Sequence, residues 1–487
     1  MAKYHLVTYG CQMNKSDSER IASILAGVGF EPTEAEGDAD LILINTCSVR
    51  QTAEDRVYGQ VRGWNALKEK KPELIIGVTG CMPGRDRDGT LRKKLPIVDL
   101  YFPIADLPQL PRWIVELRPE LVSGGAGSLP AGRQGASGGN SSELADYYLK
   151  ITPERDRVRQ AFVTIQTGCN KFCTYCVVPF SRGLEKNRSI RDILDEIRGL
   201  ADRGCVEVTL LGQTVNSYRA PDPEHFSSAN PFKDHFAALL WEVSAIGGSA
   251  SGGNQRSGIS RLHFTAPHPL HMTDEVIEAM ALPSHVNFIH LPVQSGDNEV
   301  LRRMNRRYTR EQYLEVVRRI RARIPEIAIG TDIIVGFSGE TQEQFECTVR
   351  LYEEVGFDIS YTAQYSQRSG TAAWRAFKDD VAREEKKRRW QVLQELMEGI
   401  VREKNQAYVG KTVSVLVERY EEPKITDEML AMPQKIQELL ADQPGTCFGN
   451  SRELKLTSFP GTKDLVGQIV NVRVEKAGRW ILEGIMI

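Results

Sequence analysis

Three short β-rich runs each end on a cysteine: YGC at Cys11, NTC at Cys47 and TGC at Cys81. The runs cover residues 4–8, 41–45 and 74–79, and helical patterns at 16–28 and 52–69 separate them, the first with Ser16 as its expected N-cap. Strands alternating with helices of this length predict a parallel α/β sheet. In an open parallel sheet the carboxyl ends of all strands share one edge, where ligands bind. Thiols spaced 36 and 34 residues apart along the chain are therefore expected to converge there.

Composition narrows the setting. With 487 residues and a formal net charge of −2, the chain is long enough for two to four domains and too balanced for a uniformly basic nucleic-acid coat. A local basic patch stays open. No stretch approaches the roughly 18 apolar residues of a spanning helix, so no membrane association is expected. The start, MAKYHLVTYGCQ, has no apolar secretion core, and a cytoplasmic location is expected. There, nine cysteines, an odd number, read as metal ligands or catalytic groups and not as a disulfide framework.

Residues 119–150 are expected to form a flexible linker, since 123–142 is a Gly/Ser/Ala-rich run without apolar periodicity, and 247–257 is a similar insertion. Between 151 and 385, six candidate strands (162–166, 207–211, 261–265, 288–291, 327–335 and 359–364) alternate with helical patterns such as 189–203 and 309–323. Six βα units predict a partial (β/α)6 barrel with its active site at the carboxyl strand ends. From 407 to 487, valine-rich alternation at 411–418 and 467–487 predicts a small β-barrel, with a helical insertion over 427–440. The expected fold is α/β: an open parallel sheet domain over 1–118, a partial barrel over 151–385 and a small β-barrel over 407–487.

The run AFVTIQTG leads into Cys169-Asn-Lys-Phe-Cys173-Thr-Tyr-Cys176. At this spacing three thiolates can each bind one iron of a 4Fe–4S cluster and leave the fourth iron open to a substrate or cofactor. Structural zinc would need a fourth ligand, and the candidates His5 and Cys205 are not near in sequence. Three ordinary buried thiols are the blander alternative.

The sequence around this triplet resembles the radical S-adenosylmethionine (SAM) superfamily. YGCQMNKSDSERI, NTCSVRQTAEDRVY, TGCMP and GCNKFCTYCVVPFSRG together make it similar to the methylthiotransferases, most of all to the group acting on N6-(dimethylallyl)adenosine in tRNA. The similarity spans essentially the whole chain outside the insertions. It implies a radical-SAM core, a C-terminal TRAM domain, and two 4Fe–4S clusters. The catalytic Cys169, Cys173 and Cys176 would hold the cluster that chelates SAM and cleaves it to a 5′-deoxyadenosyl radical. Cys11, Cys47 and Cys81 would hold an auxiliary cluster.

The resemblance also points to SAM contacts. Gly212 and Gln213 end the second barrel strand, where a short Gly-containing motif contacts the SAM amino group. Gly336 lies in GTDIIVGFSGET, similar to a segment against the adenine, with Ser338 where relatives commonly have Pro. Gln294 and Ser295, at another strand end, are candidate SAM or substrate contacts. For RNA, residues 301–323 carry nine arginines and two glutamates. Phe448, Arg452, Lys455 and Phe459 could serve in the terminal barrel, though GNSRELKLTSFPG is less arginine-rich than the family pattern. His263, His268, His271, His285 and His290 are expected to make loop or core hydrogen bonds, and Cys205, Cys347 and Cys447 to be buried thiols.

The expected function is methylthiolation of C2 of N6-(dimethylallyl)adenosine beside the tRNA anticodon. That C–H bond offers no acidic proton, so acid–base catalysis alone is inadequate and a radical route answers the need. Expected partners are the tRNA, a flavodoxin- or ferredoxin-like electron donor and a sulfur donor the sequence does not specify, with the enzyme a monomer. The alternatives are methylthiolation of threonylcarbamoyladenosine or of a ribosomal-protein aspartate, and a non-catalytic iron–sulfur RNA-binding protein.

Overall fold

Every residue of the run LILINT, 41–46, is buried in the computed structural model of the chain, which describes residues 1–48, 51–122, 141–153, 155, 159–246, 258–423 and 444–487. The insertions expected at 247–257 and 427–440, and residues 123–140 of the Gly/Ser run, lie outside the described residues. The chain divides into two compact units. One comprises Met1–Leu282, Arg302–Arg307 and Ser366–Asp380, and the other Pro283–Leu301, Tyr308–Tyr365 and Val381–Ile487.

The first unit begins with a parallel sheet of β1 (Ala2–Tyr9), β2 (Phe30–Pro32), β3 (Leu41–Thr46), β4 (Ile75–Gly80) and β5 (Leu100–Pro103), in the order β2-β1-β3-β4-β5. Both faces are covered, which explains the continuous apolar run. Leu41 and Leu43 join one core with Ile21, Leu25 and Ile114, while Ile42 and Ile44 join the other with Val57, Trp64 and Val78. The short edge strands β2 and β5 were not among the three expected.

Helix α1 runs Gln12–Gly27 and starts at Cys11, not at Ser16. The Asn14 side chain accepts from the Cys11 backbone N–H at 3.3 Å, a local bond that nucleates the helix one turn earlier. The single helix expected over 52–69 is two, α2 (Gln51–Gly63) and α3 (Asn65–Lys70), parted at the buried Trp64.

The flexible linker expected over 119–150 is also corrected. Ser141–Lys150 is a helix whose Ala145, Tyr148 and Leu149 are buried at i, i+3 and i+4 spacing, and Tyr148 and Leu149 join the sheet's core. The Gly/Ser composition just upstream hid that stripe. The unit continues with β6 (Gln160–Thr164), the short antiparallel pair β7 (Gln166–Thr167) and β8 (Lys186–Asn187), β9 (Glu207–Leu211) and β10 (Arg261–Phe264). Strands β6, β9 and β10 form a parallel sheet.

In the second unit β11 (Phe288–His290), β12 (Ala328–Val335) and β13 (Ile359–Gln364) form another three-stranded parallel sheet. All six expected barrel strands are therefore present, three in each unit. Helix Arg383–Gln406 leads to a closed barrel of β14 (Thr412–Glu421), β15 (Gly445–Ser451), β16 (Leu456–Gly461), β17 (Ile469–Ala477) and β18 (Leu482–Met486). Alternate residues Val413, Val415, Val417, Val472 and Val474 fill its interior with Phe459 and Leu482. Asp358, ahead of β13, accepts from Lys404 at 2.7 Å and from Lys455 at 3.0 Å, tying that helix and the β15–β16 turn together.

The two ammonium groups overcome the burial of Asp358 and hold its carboxyl below the usual range. Its contribution is complete above the ordinary Asp pKa and lost as pH falls through the lower folded value. Asp358→Ala, which leaves buried Lys455 unpaired, should cost about 3–5 kcal/mol near pH 7 in urea denaturation. The gap from the parent should narrow as pH falls through that folded value.

Candidate functional site

The strand register builds the N-terminal site. Tyr9 pairs with Thr46, and Thr46 with Gly80, so the ends of β1, β3 and β4 stand in one row. Cys11, Cys47 and Cys81 follow that row as N-cap of α1, first residue after β3 and first residue of α4 (Cys81–Arg85). The turns interlock. Asn14 donates to Asn45 Oδ1 at 3.1 Å, and Asn45 donates back to the Asn14 carbonyl at 2.7 Å. Gly80 adopts φ +101°, and a Cβ there would stand 2.4 Å from the Thr46 carbonyl oxygen and 2.7 Å from Asn45 Oδ1. Beside Cys47, Ser48 and Arg85 both bond Glu54, the arginine through both carboxylate oxygens at 2.8 and 3.0 Å. Cys47 and Cys81 are buried and Cys11 is exposed.

The triplet loop is held from outside itself. Cys169 N–H donates to the Gly183 carbonyl at 3.1 Å, and its sulfur meets Thr214 Oγ1 at 3.4 Å. Arg306 Nη1 donates to Cys173 Sγ at 3.3 Å. Thr174 N–H donates to the Met304 carbonyl, while the Thr174 carbonyl accepts from Ala373 N–H. Asn305 reaches the carbonyls of Lys171 and Phe172 at 3.3 and 3.0 Å, steadying Phe172 at φ +49°. Lys171 Nζ lies 2.6 Å from His271 Nε2. Burial, then Lys171, lowers the His271 pKa to about 4.

Gly212 and Gln213 directly follow β9, and the neighbouring Thr214 N–H donates to Gln166 Oε1 at 3.2 Å. These two and all six cysteines lie in the first unit, whereas Gln294, Ser295 and Gly336 lie in the second. There Gln294 adopts φ +76° and its backbone bridges to β12. The Ser295 hydroxyl is buried 3.4 Å from that of Thr348, and Gly336 N–H donates to Glu340 at 2.6 Å.

Several expected RNA contacts are engaged internally. Phe459 fills the barrel, Lys455 pairs with Asp358, and Arg452 donates to the carbonyls of Pro283 and His285. Phe448 lies under the Arg419 guanidinium at 3.8 Å. Of the arginine-rich stretch, Arg310 pairs with Glu354 and Arg318 with Glu315. Sequence reasoning missed Asn14, Asn45, Arg182, Thr214, Arg306 and Arg368. Asn14, Asn45 and Arg182 carried a signal in their proximity to the cysteine motifs, Arg182 six residues past Cys176 and Asn45 two before Cys47, whereas Thr214, Arg306 and Arg368 are remote from those motifs in sequence.

Burial pushes the Cys81, Cys169 and Cys176 thiols up, the last to about 12. Without a metal these three therefore stay protonated, and a metal centre held there would displace those protons on binding. All six donors are sulfur, the soft type that suits iron–sulfur clusters over hard cations. A lone tetrahedral ion would need a fourth ligand at either set. Among the described residues no group of three or more His, Cys, Asp and Glu side chains is arranged to hold one metal ion.

The family model described as the Radical SAM superfamily matches residues 163–352, and that described as Uncharacterized protein family UPF0004 matches residues 3–103. Two relatives named tRNA-2-methylthio-N(6)-dimethylallyladenosine synthase are each 40% identical. The one from Carboxydothermus hydrogenoformans matches over 99% of both chains, and the one from Geobacillus thermodenitrificans over 99% of this chain and 83% of its own. Among solved structures, the radical S-adenosylmethionine methyltransferase TsrM from Kitasatospora setae, with cobalamin and a 4Fe–4S cluster bound, shares the fold. Its TM-score is 0.53 at 14% identity, covering 77% of this chain and 74% of that one. The chain belongs to the tRNA-2-methylthio-N(6)-dimethylallyladenosine synthase family within the radical SAM superfamily.

Proposed function

We propose that this chain is a radical-SAM methylthiotransferase that converts N6-(dimethylallyl)adenosine beside the tRNA anticodon into its 2-methylthio derivative. The observation that carries this reading is the pair of three-thiol sets, one along a sheet edge and one in a single loop, within one compact unit. Cys169, Cys173 and Cys176 would hold the 4Fe–4S cluster, and Cys11, Cys47 and Cys81 an auxiliary one serving the sulfur. When bound, the first cluster supplies the electron for SAM cleavage, which answers the need for a radical at an unactivated C–H bond. The chain's own residues set the stage: Arg306 and Thr214 orient Cys173 and Cys169, and Asn305 fixes the loop between them. Gly212, Gln213, Gln294, Ser295 and Gly336 are proposed SAM or substrate contacts.

The modules proposed for these tasks are residues 1–118 for the auxiliary cluster, 151–385 for radical chemistry and 407–487 as a TRAM domain for RNA. A flavodoxin- or ferredoxin-like protein is the proposed electron donor to a monomeric, cytoplasmic enzyme. Among the described residues no helix is long and apolar enough to cross a membrane.

Isopentenylated tRNA incubated anaerobically with reconstituted protein, SAM, sulfide and reductant should yield 2-methylthio-N6-(dimethylallyl)adenosine in nucleoside mass spectrometry. SAM cleavage without that product would overturn the substrate, and no cleavage would overturn the enzyme reading. Cys173→Ala should reduce 5′-deoxyadenosine to background. Cys47→Ala should keep cleavage and lose the product. Arg306→Met, judged folded by circular dichroism, should lower the SAM-cleavage rate by about 10–100-fold, the usual cost of removing an outer hydrogen bond from a metal ligand.

A further inference from the structure

Arg182 stands just past the triplet loop, at the end of the short helix Val178–Ser181, yet its side chain serves the other thiol set. It is 5% exposed. Its Nε donates to Cys81 Sγ at 3.3 Å, and its two terminal nitrogens donate to both Asp17 oxygens at 2.5 and 3.4 Å. Asp17 sits on α1, the helix that begins at Cys11, and also accepts from the buried Tyr148 hydroxyl. The guanidinium thus joins the Cys11 helix to the start of α4. The α4 backbone is itself pressed against Ser181: a Cβ on Gly84 would lie 2.1 Å from the Ser181 carbonyl oxygen.

A buried ion pair roughly breaks even as a stability device, because desolvation of both charges offsets their attraction. What this one adds is a fixed N–H aimed at a sulfur. Donors to cluster sulfurs favour the more negative, reduced state and so raise the potential. The planar fork suits the task, since one nitrogen addresses sulfur while two hold the carboxylate.

We propose that Arg182 is a positioning residue of the N-terminal sulfur site, holding Cys81 in register with the Cys11 helix and raising both the iron retention and the reduction potential of the cluster bound there. The proposal rests on the reading that Cys11, Cys47 and Cys81 hold a cluster.

The full-length variant Cys169→Ala/Cys173→Ala/Cys176→Ala, reconstituted anaerobically with ferrous iron and sulfide, isolates that site. Iron and sulfide analysis comes first: a folded triple variant that binds neither overturns the cluster reading and this proposal with it. If a cluster binds, adding Arg182→Met should shift its midpoint to lower potential in a dye-mediated titration followed by electron paramagnetic resonance. It should also shorten the cluster's lifetime against a chelator by about tenfold or more. Asp17→Asn/Arg182→Met removes both buried charges together and should still lower the potential, because the N–H donor is gone. Arg182→Lys, the mildest change, should recover part of the potential without the lifetime, and decides the matter if neither other variant folds. An unchanged midpoint and lifetime in a folded Arg182 variant would overturn the proposal while leaving the cluster reading intact.

Discussion

Hydrogen bonds between adjacent parallel strands set Tyr9, Thr46 and Gly80 side by side, and the N-terminal site inherits its geometry from that row. A cysteine placed just beyond each strand end needs no long loop to reach its partners. What remains is to keep the turns from splaying, and the Asn14–Asn45 pair and the glycine at position 80 do so with a few short-range bonds. The sheet can impose this register because both faces are buried, and slippage of β3 by one residue would exchange its two cores.

Charge is the second organising principle. Three nearly buried arginines from separate stretches of chain stand near the thiols: Arg182 at Cys81, Arg306 at Cys173, and Arg368 within electrostatic reach of Cys47. Thiolate-ligated clusters concentrate negative charge, and water is scarce beside buried sulfur. Guanidinium groups would compensate that charge in the clusters proposed here, and they stay protonated at any physiological pH.

Much of this was legible in the sequence. Continuous apolar runs located the parallel strands, and cysteine spacing separated the two thiol sets, because both signals are local. The missed elements depended on tertiary context. Helix Ser141–Lys150 was masked by the Gly/Ser composition beside it, although its buried stripe is plain once the sheet supplies a surface to cover. Cys11 as a helix start escaped notice because cysteine is not a usual cap, and Asn14 does the bonding. Lys455 and Phe459 looked available for RNA until the barrel closed around one and Asp358 claimed the other. Pairings such as Arg182 with Cys81 join residues remote in sequence, and one sequence carries no local pattern for them.

The supports of the triplet loop also have a temporal meaning. Thr174 is held by Met304 and Ala373, and Cys173 by Arg306, all far downstream. Chains are synthesised from the amino end, and local structure forms before distant contacts are available. The strands behind Cys11, Cys47 and Cys81 emerge close together and ahead of the triplet, whereas the triplet leaves the ribosome long before the segments that shape its loop. Its three thiols must pass through that interval without their final scaffold. On the proposed assignment of the cluster to this loop, iron delivery is therefore expected late, after translation has passed residue 373, and oxidant exposure during synthesis should harm it before the sheet-edge thiols.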